Sequence, residues 1–222
     1  MTPVPFVMQL LNALAAMLLL LSFAMLAQRR VVTLVDLFAL QGAVLCAATL
    51  LLAWRTGETN LYVSAALTLG LKVVVLPRLL HRLIRRLGVY WDTDPLLNIP
   101  GTMIVGLVIV IFSFGLAQPI SALASTATRS AVGIAVAVIL LAFLTMITRR
   151  KAMSQVVGFL SMENGLFFGA MSATYGMPMV VELGVALDVL VAMLVLGVFF
   201  FQIREQFDSL DLHNLESLKE DQ

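Results

Sequence analysis

Long uninterrupted hydrophobic segments constrain this chain more than any other feature of its sequence. A bilayer core about 30 Å thick is crossed by roughly 20 apolar residues in an α-helix. None of the segments shows the period-two alternation of a transmembrane barrel strand. Backbone groups inside lipid must be hydrogen-bonded within the segment, so each is predicted to be a helix. The seven predicted spans are 4–27, 31–54, 61–83, 101–120, 130–148, 152–174 and 178–203.

The composition excludes most classes of soluble protein. Only 12% of the residues are charged, against about 25% in an ordinary soluble domain. A formal net charge of +1 argues against a nucleic-acid partner. One cysteine, Cys46, rules out a disulfide framework, and His81 and His213 have no ligand-spaced neighbours. The sequence therefore predicts an all-α polytopic membrane protein, with no metal or cofactor bound by this chain.

The distribution of Lys and Arg between the loops predicts the orientation. Basic residues follow spans one, three, five and seven: Arg29, Arg30, Arg82, Arg85, Arg86, Arg149, Arg150, Lys151, Arg204 and Lys219. The alternate loops hold only Arg55 and Arg129. The N-terminus is therefore predicted outside and the C-terminus in the cytoplasm.

A turn-rich stretch, residues 88–101, is the predicted boundary between two membrane parts. It separates a three-span part, 1–100, from a four-span part, 101–203. The remaining tail, 204–222, has leucines at near-helical spacing among acidic residues. Because acidic residues disfavour an anionic membrane surface, the tail is predicted to dock on a cytoplasmic partner protein.

Five ionisable residues lie inside the predicted spans: Asp36, Lys72, Glu163, Glu182 and Asp188. A charge at mid-bilayer costs about 2.5–3.5 kcal/mol on insertion scales. Lys72 and Glu163 are central in their spans and Asp188 is nearly so, which favours a proton or ion path through these three groups. The alternative is structural, with Lys72 neutralising one carboxylate and the pair fixing helix register.

The other two charges have different predicted roles. Glu182 and Asp188 are six residues apart and point about 120° apart on a helix, so they cannot serve one site together. Asp188 is the predicted relay residue, and Glu182 is placed at a channel mouth or at a contact between subunits. Asp36 is an accessory candidate, for which a polar contact between helices is the simpler interpretation.

Proline and glycine residues flank the two central charges. Pro77 has no amide for the carbonyl of Val73, which predicts a kink and local hydration beside Lys72; an ordinary proline kink used for packing is the alternative. Small residues around Glu163 allow close helix approach or a bulge. They are Gly158, Gly165 and Gly169.

Several motifs together resemble component E of hydrogenase-4-type membrane hydrogenases. The matching stretches are residues 158–165 around Met162-Glu163-Asn164-Gly165, residues 181–188 with Glu182 and Asp188, residues 71–77 from Leu71-Lys72 to Pro77, and residues 211–219 of the tail. The resemblance covers almost the whole chain.

Residues 130–203 also resemble the K subunit of complex I and its counterpart in Mrp-type antiporters. In that family a central glutamate follows a basic entry, which here corresponds to Glu163 after Arg149–Lys151. The second glutamate of that family's proton path corresponds to Asp188, which is one methylene shorter. Lys72 belongs to the part of the chain without an equivalent there.

These resemblances imply a non-catalytic subunit in the cytoplasmic membrane of a prokaryote. Its implied partners are antiporter-like and quinone-subunit-like membrane subunits, together with peripheral [NiFe] and iron–sulfur subunits that hold the redox centres. Its implied role is translocation of H⁺ or Na⁺ coupled to electron transfer. Two alternatives stay open: a structural assembly subunit without its own ion path, and a stand-alone ion transporter. The latter would need a substrate cavity and usually a repeated architecture, neither of which is visible in the sequence.

Overall fold

The computed structural model describes residues 6–88, 90–91, 98–121 and 126–174, with the isolated positions 193 and 197. Apart from those two positions, the predicted seventh span, 178–203, lies outside the described residues. Glu182, Asp188 and the tail lie outside them as well. By internal contacts the chain divides into units Met1–Asp188 and Val189–Gln222. All helices described below belong to the first unit.

The described ranges are helical and contain no β-strand, which confirms the all-α prediction. The helices are α1 (Phe6–Ala27), α2 (Val31–Thr56), α3 (Thr59–Thr68), α4 (Leu76–Leu87), α5 (Ile99–Ser121), α6 (Thr126–Thr148) and α7 (Ala152–Thr174). A π-helical turn, Leu69–Val75, joins α3 to α4, so that the three pieces form one continuous span. Among the described residues, six segments are long and apolar enough to cross a membrane, at the first six predicted positions. The protein is a multi-pass membrane protein.

Two glycines end helices where the chain must reverse. Gly57 follows α2 with φ 73°, and its amide donates to the carbonyl of Ala53. Gly88 follows α4 with φ 65°. A left-handed residue after the last helical turn satisfies free carbonyls, and glycine adopts it without steric cost.

Helix α2 has the most central position in the described bundle. It packs against α1, α7 and the α3–α4 span. The main apolar core joins residues of α1, α2, α3, α6 and α7, among them Leu18, Leu45, Leu61, Val138 and Phe168. Helix α5 packs on α6 and α1 and presents many exposed apolar side chains, as expected for a surface that faces lipid.

Glycines bring α7 close to α6. A Cβ at Gly165 would lie 2.9 Å from Cγ1 of Val138, and one at Gly158 would lie 2.7 Å from Cγ of Met146. At Gly169 it would lie 3.0 Å from Cβ of Ala135. The close approach predicted from these three glycines is confirmed.

The basic loops meet at one end of the bundle. Arg149, after α6, donates from Nη2 to the carbonyls of Leu26, at 2.9 Å, and of Gln28. Arg30, before α2, lies over the ring of Trp91, with 4.7 Å from Cζ to the ring centroid. This grouping agrees with the charge bias, and the assignment of that end to the cytoplasm stays a prediction.

Candidate functional site

Lys72 lies inside the π-helical turn. The amide of Leu76 donates to the carbonyl of Leu71, five residues earlier, and Pro77 sits in the first turn of α4. Proline cannot donate to the carbonyl four residues before it, and a π turn is one way for a helix to absorb that loss. The helix thus departs from regular geometry next to Lys72 as a π turn, where the sequence predicted a kink. π turns inside helices are frequent at functional sites.

The side chain of Lys72 meets Glu163 between the α3–α4 span and α7. Nζ of Lys72 lies 3.7 Å from Oε1 of Glu163, with relative exposures of 1% and 2%. The ammonium also lies 5.8 Å from the centroid of the Phe167 ring, one turn further along α7. Two of the groups predicted at mid-membrane depth are thus brought together as a buried ion pair.

Gly42 on α2 allows this arrangement. A Cβ at Gly42 would lie 3.2 Å from Cβ of Lys72 and 3.6 Å from its carbonyl carbon. The backbone of α2 therefore passes directly beside the π turn. With no side chain at Gly42, the lysine can extend toward Glu163.

Three uncharged polar side chains connect helices beside the ion pair. Nδ2 of Asn164 donates to Oε1 of Gln41 at 3.2 Å, and Nε2 of Gln41 donates to Oγ of Ser22 at 3.0 Å. The Ser22 hydroxyl donates to the carbonyl of Leu18 at 2.9 Å. All three side chains are buried. This chain links α7, α2 and α1, and buried polar networks of this kind fix one arrangement of helices.

A row of buried polar residues leads along α3 to the lysine. Ser64, Thr68 and Lys72 follow at intervals of four residues and are each 1% exposed, so they share one helix face. Within the described part of the chain, Oγ of Ser64 and Oδ1 of Asn164 have no hydrogen-bond partner. Buried polar atoms of this kind are candidates for ordered water.

Asp36 lies in a second, more exposed pair. Its Oδ1 is 3.1 Å from Nε2 of His81, with relative exposures of 62% for Asp36 and 28% for His81. The other ring nitrogen, Nδ1, lies 2.7 Å from the carbonyl of Pro77. Asp36 thus makes the contact between helices that the sequence suggested, and Gln41 does so as well.

Sequence reasoning overlooked three contributors to the site. Ser22 and Asn164 gave weak signals, a serine inside a span and an amide directly after a glutamate. Arg149 was interpreted as a topology signal and as part of a basic entry before Glu163, whereas the structure buries it against the carbonyl end of α1. Glu182 and Asp188 lie outside the described residues. The described residues contain no group of three or more His, Cys, Asp or Glu that could hold a metal ion.

The arrangement has definite chemical capabilities. An ammonium and a carboxylate at this distance attract each other, and the attraction is stronger in a low-dielectric interior than in water. A change of charge on either group therefore removes the attraction that holds its partner. Around the pair lie amide and hydroxyl groups that can hold water, and a π turn that departs from regular hydrogen bonding.

The chain has relatives among known proteins. It is 36% identical over 187 residues to the uncharacterized protein Rv0085 of Mycobacterium tuberculosis, which covers 84% of this chain and 85% of the relative. It is 23% identical over 210 residues to hydrogenase-4 component E of Escherichia coli K12, covering 95% of this chain and 97% of the relative. The same figures apply to hydrogenase-4 component E of Shigella flexneri.

Two further comparisons gave no match. No family model matches the chain, and no solved structure does. The resemblance of residues 130–203 to the K subunit of complex I stays a prediction. The resemblance to hydrogenase-4 component E is confirmed as a distant homology over nearly the full length. The chain belongs to the family of the Mycobacterium tuberculosis protein Rv0085, and hydrogenase-4 component E is a more distant homologue.

Proposed function

We propose that this protein is a membrane-arm subunit of a membrane-bound hydrogenase or a complex-I-related complex. In it, the Lys72–Glu163 pair contributes to translocation of H⁺ or Na⁺ driven by electron transfer in other subunits. The observation that carries the proposal is the 3.7 Å approach of Nζ of Lys72 to Oε1 of Glu163, both buried and mid-span. The distant homology to hydrogenase-4 component E supplies the context of the complex.

The location of the pair favours function over packing. An ion pair in a low-dielectric interior is often replaceable by apolar side chains without loss of stability. Ionisable residues within a membrane are costly and commonly mark proton or ion pathways. Lys72 and Glu163 lie at the middle of spans 59–86 and 152–173, at the greatest distance from both aqueous sides.

The proposed mechanism is electrostatic. With both groups charged, Lys72 is held at Glu163. A proton arriving at Glu163 removes that attraction and frees Lys72 to respond to a charge elsewhere in the complex. The carboxylate of Asp188 is the next proposed relay group, and Glu182 is proposed at the channel mouth. Oδ1 of Asn164 offers a buried acceptor for water next to Glu163.

The chain is proposed to be non-catalytic. By resemblance, its partners are antiporter-like and quinone-subunit-like membrane subunits, with peripheral subunits that carry the [NiFe] centre and iron–sulfur clusters. No cofactor is assigned to this chain.

The test is the Glu163→Gln variant in the intact complex. Inverted membrane vesicles containing the complex are supplied with its electron donor, and electron transfer and lumenal acidification are recorded together. We expect near-complete loss of ion movement with an assembled complex, because a neutral amide neither takes up and releases a proton near neutral pH nor carries the negative charge that attracts a cation. The matched control is Glu58→Gln, an exposed glutamate just before α3, which should pump normally. Uptake of labelled Na⁺ in the presence of a protonophore distinguishes Na⁺ from H⁺. Normal pumping by assembled Glu163→Gln would overturn the proposal.

A structural role is the second candidate, because the pair also ties the π turn to α7. The double variant Lys72→Met/Glu163→Leu separates the two. If the pair only supports assembly, the double variant should assemble and pump. If the pair lies on the ion path, the double variant should assemble better than Lys72→Met alone and still fail to pump.

A further inference from the structure

A basic cleft opens at the end of the bundle where the positive loops meet. It lies between the start of α2 and the last turns of α4 and has a volume of about 640 Å³. Three arginines line it at helical spacing: Arg78, Arg82 and Arg85. Residues four and seven apart share one face of a helix, so the three guanidinium groups form a stripe. All three arginines are exposed.

The opposite wall of the cleft is held in place by specific contacts. The amide of Val31 donates to the carbonyl of Tyr90 at 3.1 Å, which returns the chain after α4 to the start of α2. His81 is oriented by the carbonyl of Pro77 and the carboxylate of Asp36. Tyr90 and His81 both line the cleft. The nearby carboxylate of Asp36 is thus engaged by His81, and among the described residues that line the cleft the arginines leave an excess of positive charge.

Toward the membrane interior, the same side of the span becomes apolar. Val74 and Val75 precede Arg78 by four and three residues and are 36% and 49% exposed. An anionic lipid has an acyl chain in the membrane interior and a phosphate at the membrane edge. The exposed valines and the arginine stripe lie in the same order, so the valines can contact the acyl chain and the arginines the phosphate. A soluble acidic peptide would use the arginines but not the exposed valines.

We propose that this cleft binds the phosphate headgroup of an anionic phospholipid, with the acyl chains lying along Val74 and Val75. Arginine suits this ligand because its planar guanidinium donates two hydrogen bonds to phosphate oxygens. Basic pockets at the ends of membrane helices commonly hold such headgroups. Tyr90, which also lines the cleft, is of a residue type favoured at the membrane interface. The site is separate from the buried Lys72–Glu163 pair.

The experiment is native mass spectrometry of the full chain in detergent, titrated with cardiolipin, phosphatidylglycerol and phosphatidylcholine. Specific adducts are expected with the two anionic lipids and not with phosphatidylcholine. The cleft variant is Arg78→Gln/Arg82→Gln/Arg85→Gln. The control, Arg29→Gln/Arg86→Gln/Arg150→Gln, removes the same charge from exposed positions near the same end but outside the cleft lining.

The cleft variant should bind anionic lipid at least about tenfold more weakly, whereas the control should change by less than about threefold. Should the triple variant elute as an aggregate, Arg82→Gln alone is used, with an expected weakening of about fivefold. Competition by inorganic phosphate or glycerol phosphate at millimolar concentration would identify a soluble-anion site and overturn the lipid assignment. Equal losses of lipid binding in both triple variants would show that binding depends on the total positive charge and not on the cleft, and would overturn the proposed site. Absence of lipid from a purified complex, with an acidic protein segment in the cleft, would also overturn it.

Discussion

Two close contacts between ionisable side chains in this protein differ in burial more than in geometry. His81 and Asp36 are closer, at 3.1 Å, but their relative exposures are 28% and 62%. Lys72 and Glu163 are 3.7 Å apart, with relative exposures of 1% and 2%. The shorter contact therefore lies at the bundle end and the longer one in the membrane interior. Distance alone would identify the His81–Asp36 contact as the stronger interaction, which is the wrong order.

Burial reverses that order of interaction strength, because water screens the exposed pair much more than the buried pair. Two charges about 4 Å apart attract by about 1 kcal/mol in water and by about 4 kcal/mol at an effective dielectric constant of about 20. The same burial makes each charge costly to leave without its partner. The exposed pair can be lost to water at little cost, whereas each member of the buried pair depends on the other. The following variants test that difference, from the largest expected effect to the smallest.

Lys72→Met should have the largest effect, a loss of about 3–5 kcal/mol in the free energy of unfolding, because a buried carboxylate loses the ammonium that balances it. Lys72→Met/Glu163→Leu should recover most of that loss. Steric trapping or thermal unfolding of the detergent-solubilised chain measures both. A Lys72→Met variant as stable as the wild type would contradict this difference between the two pairs, since it would show that buried Glu163 does not depend on Lys72.

Arg149→Met tests a buried cation that donates to backbone carbonyls. Arg149 is 4% exposed and donates to the carbonyls of Leu26 and Gln28 at the end of α1. Loss of these charge-assisted bonds should cost about 1.5–3 kcal/mol. Arg150→Met, at the exposed neighbouring position, is the control and should be close to neutral. Equal unfolding curves for the two variants would contradict the assigned role.

Gly42→Ala tests the packing that places Lys72. The new methyl would lie 3.2 Å from Cβ of Lys72, and overpacking of this kind costs about 1–3 kcal/mol. Gly70→Ala is the control within the π turn, since a Cβ there meets no atom within 4 Å. Thermal unfolding of the two single variants measures the difference. Destabilisation by Gly70→Ala but not by Gly42→Ala would show that the contact with α2 does not position the lysine.

Asp36→Asn should have the smallest effect. A double-mutant cycle with His81→Gln is expected to give a coupling of about 0–1 kcal/mol, which should weaken further in salt. Measurements at low and high ionic strength distinguish this outcome from a buried pair. A coupling as large as that of Lys72 and Glu163 would mean that Asp36 is enclosed in the assembled protein.

The sequence predicts well how deep a residue lies in the membrane, but it predicts poorly which residue of a neighbouring helix it contacts. Hydrophobic length placed six long apolar helices to within a few residues, and counting from their ends put Lys72 and Glu163 at one level. Which carboxylate faces the lysine depends on helix rotation and neighbours, which hydrophobic length does not encode. The same limit explains why the link from Asn164 through Gln41 to Ser22 was not foreseen.

Other features were missed because one residue type can serve two purposes. Arg149 follows the charge rule for loops, so its burial against α1 had no separate signal. Pro77 predicted a kink where the structure has a π turn, since both relieve the missing amide. The seventh span, its carboxylates and the orientation stay predictions.

The π turn also determines how the α3–α4 span tolerates a change in length. A π turn closes its hydrogen bond over one more residue than an α-helical turn, so it can hold a single inserted residue without rotating the helix beyond it. The buried face is indeed kept on both sides, by Leu61, Ser64 and Thr68 before the turn and by Leu76, Leu80 and Ile84 after it. In genetic terms, deletion of one codon between Leu69 and Val75 would convert the π turn into a regular α-helical turn. A buried lysine can thus be gained or lost there while the flanking faces keep their neighbours.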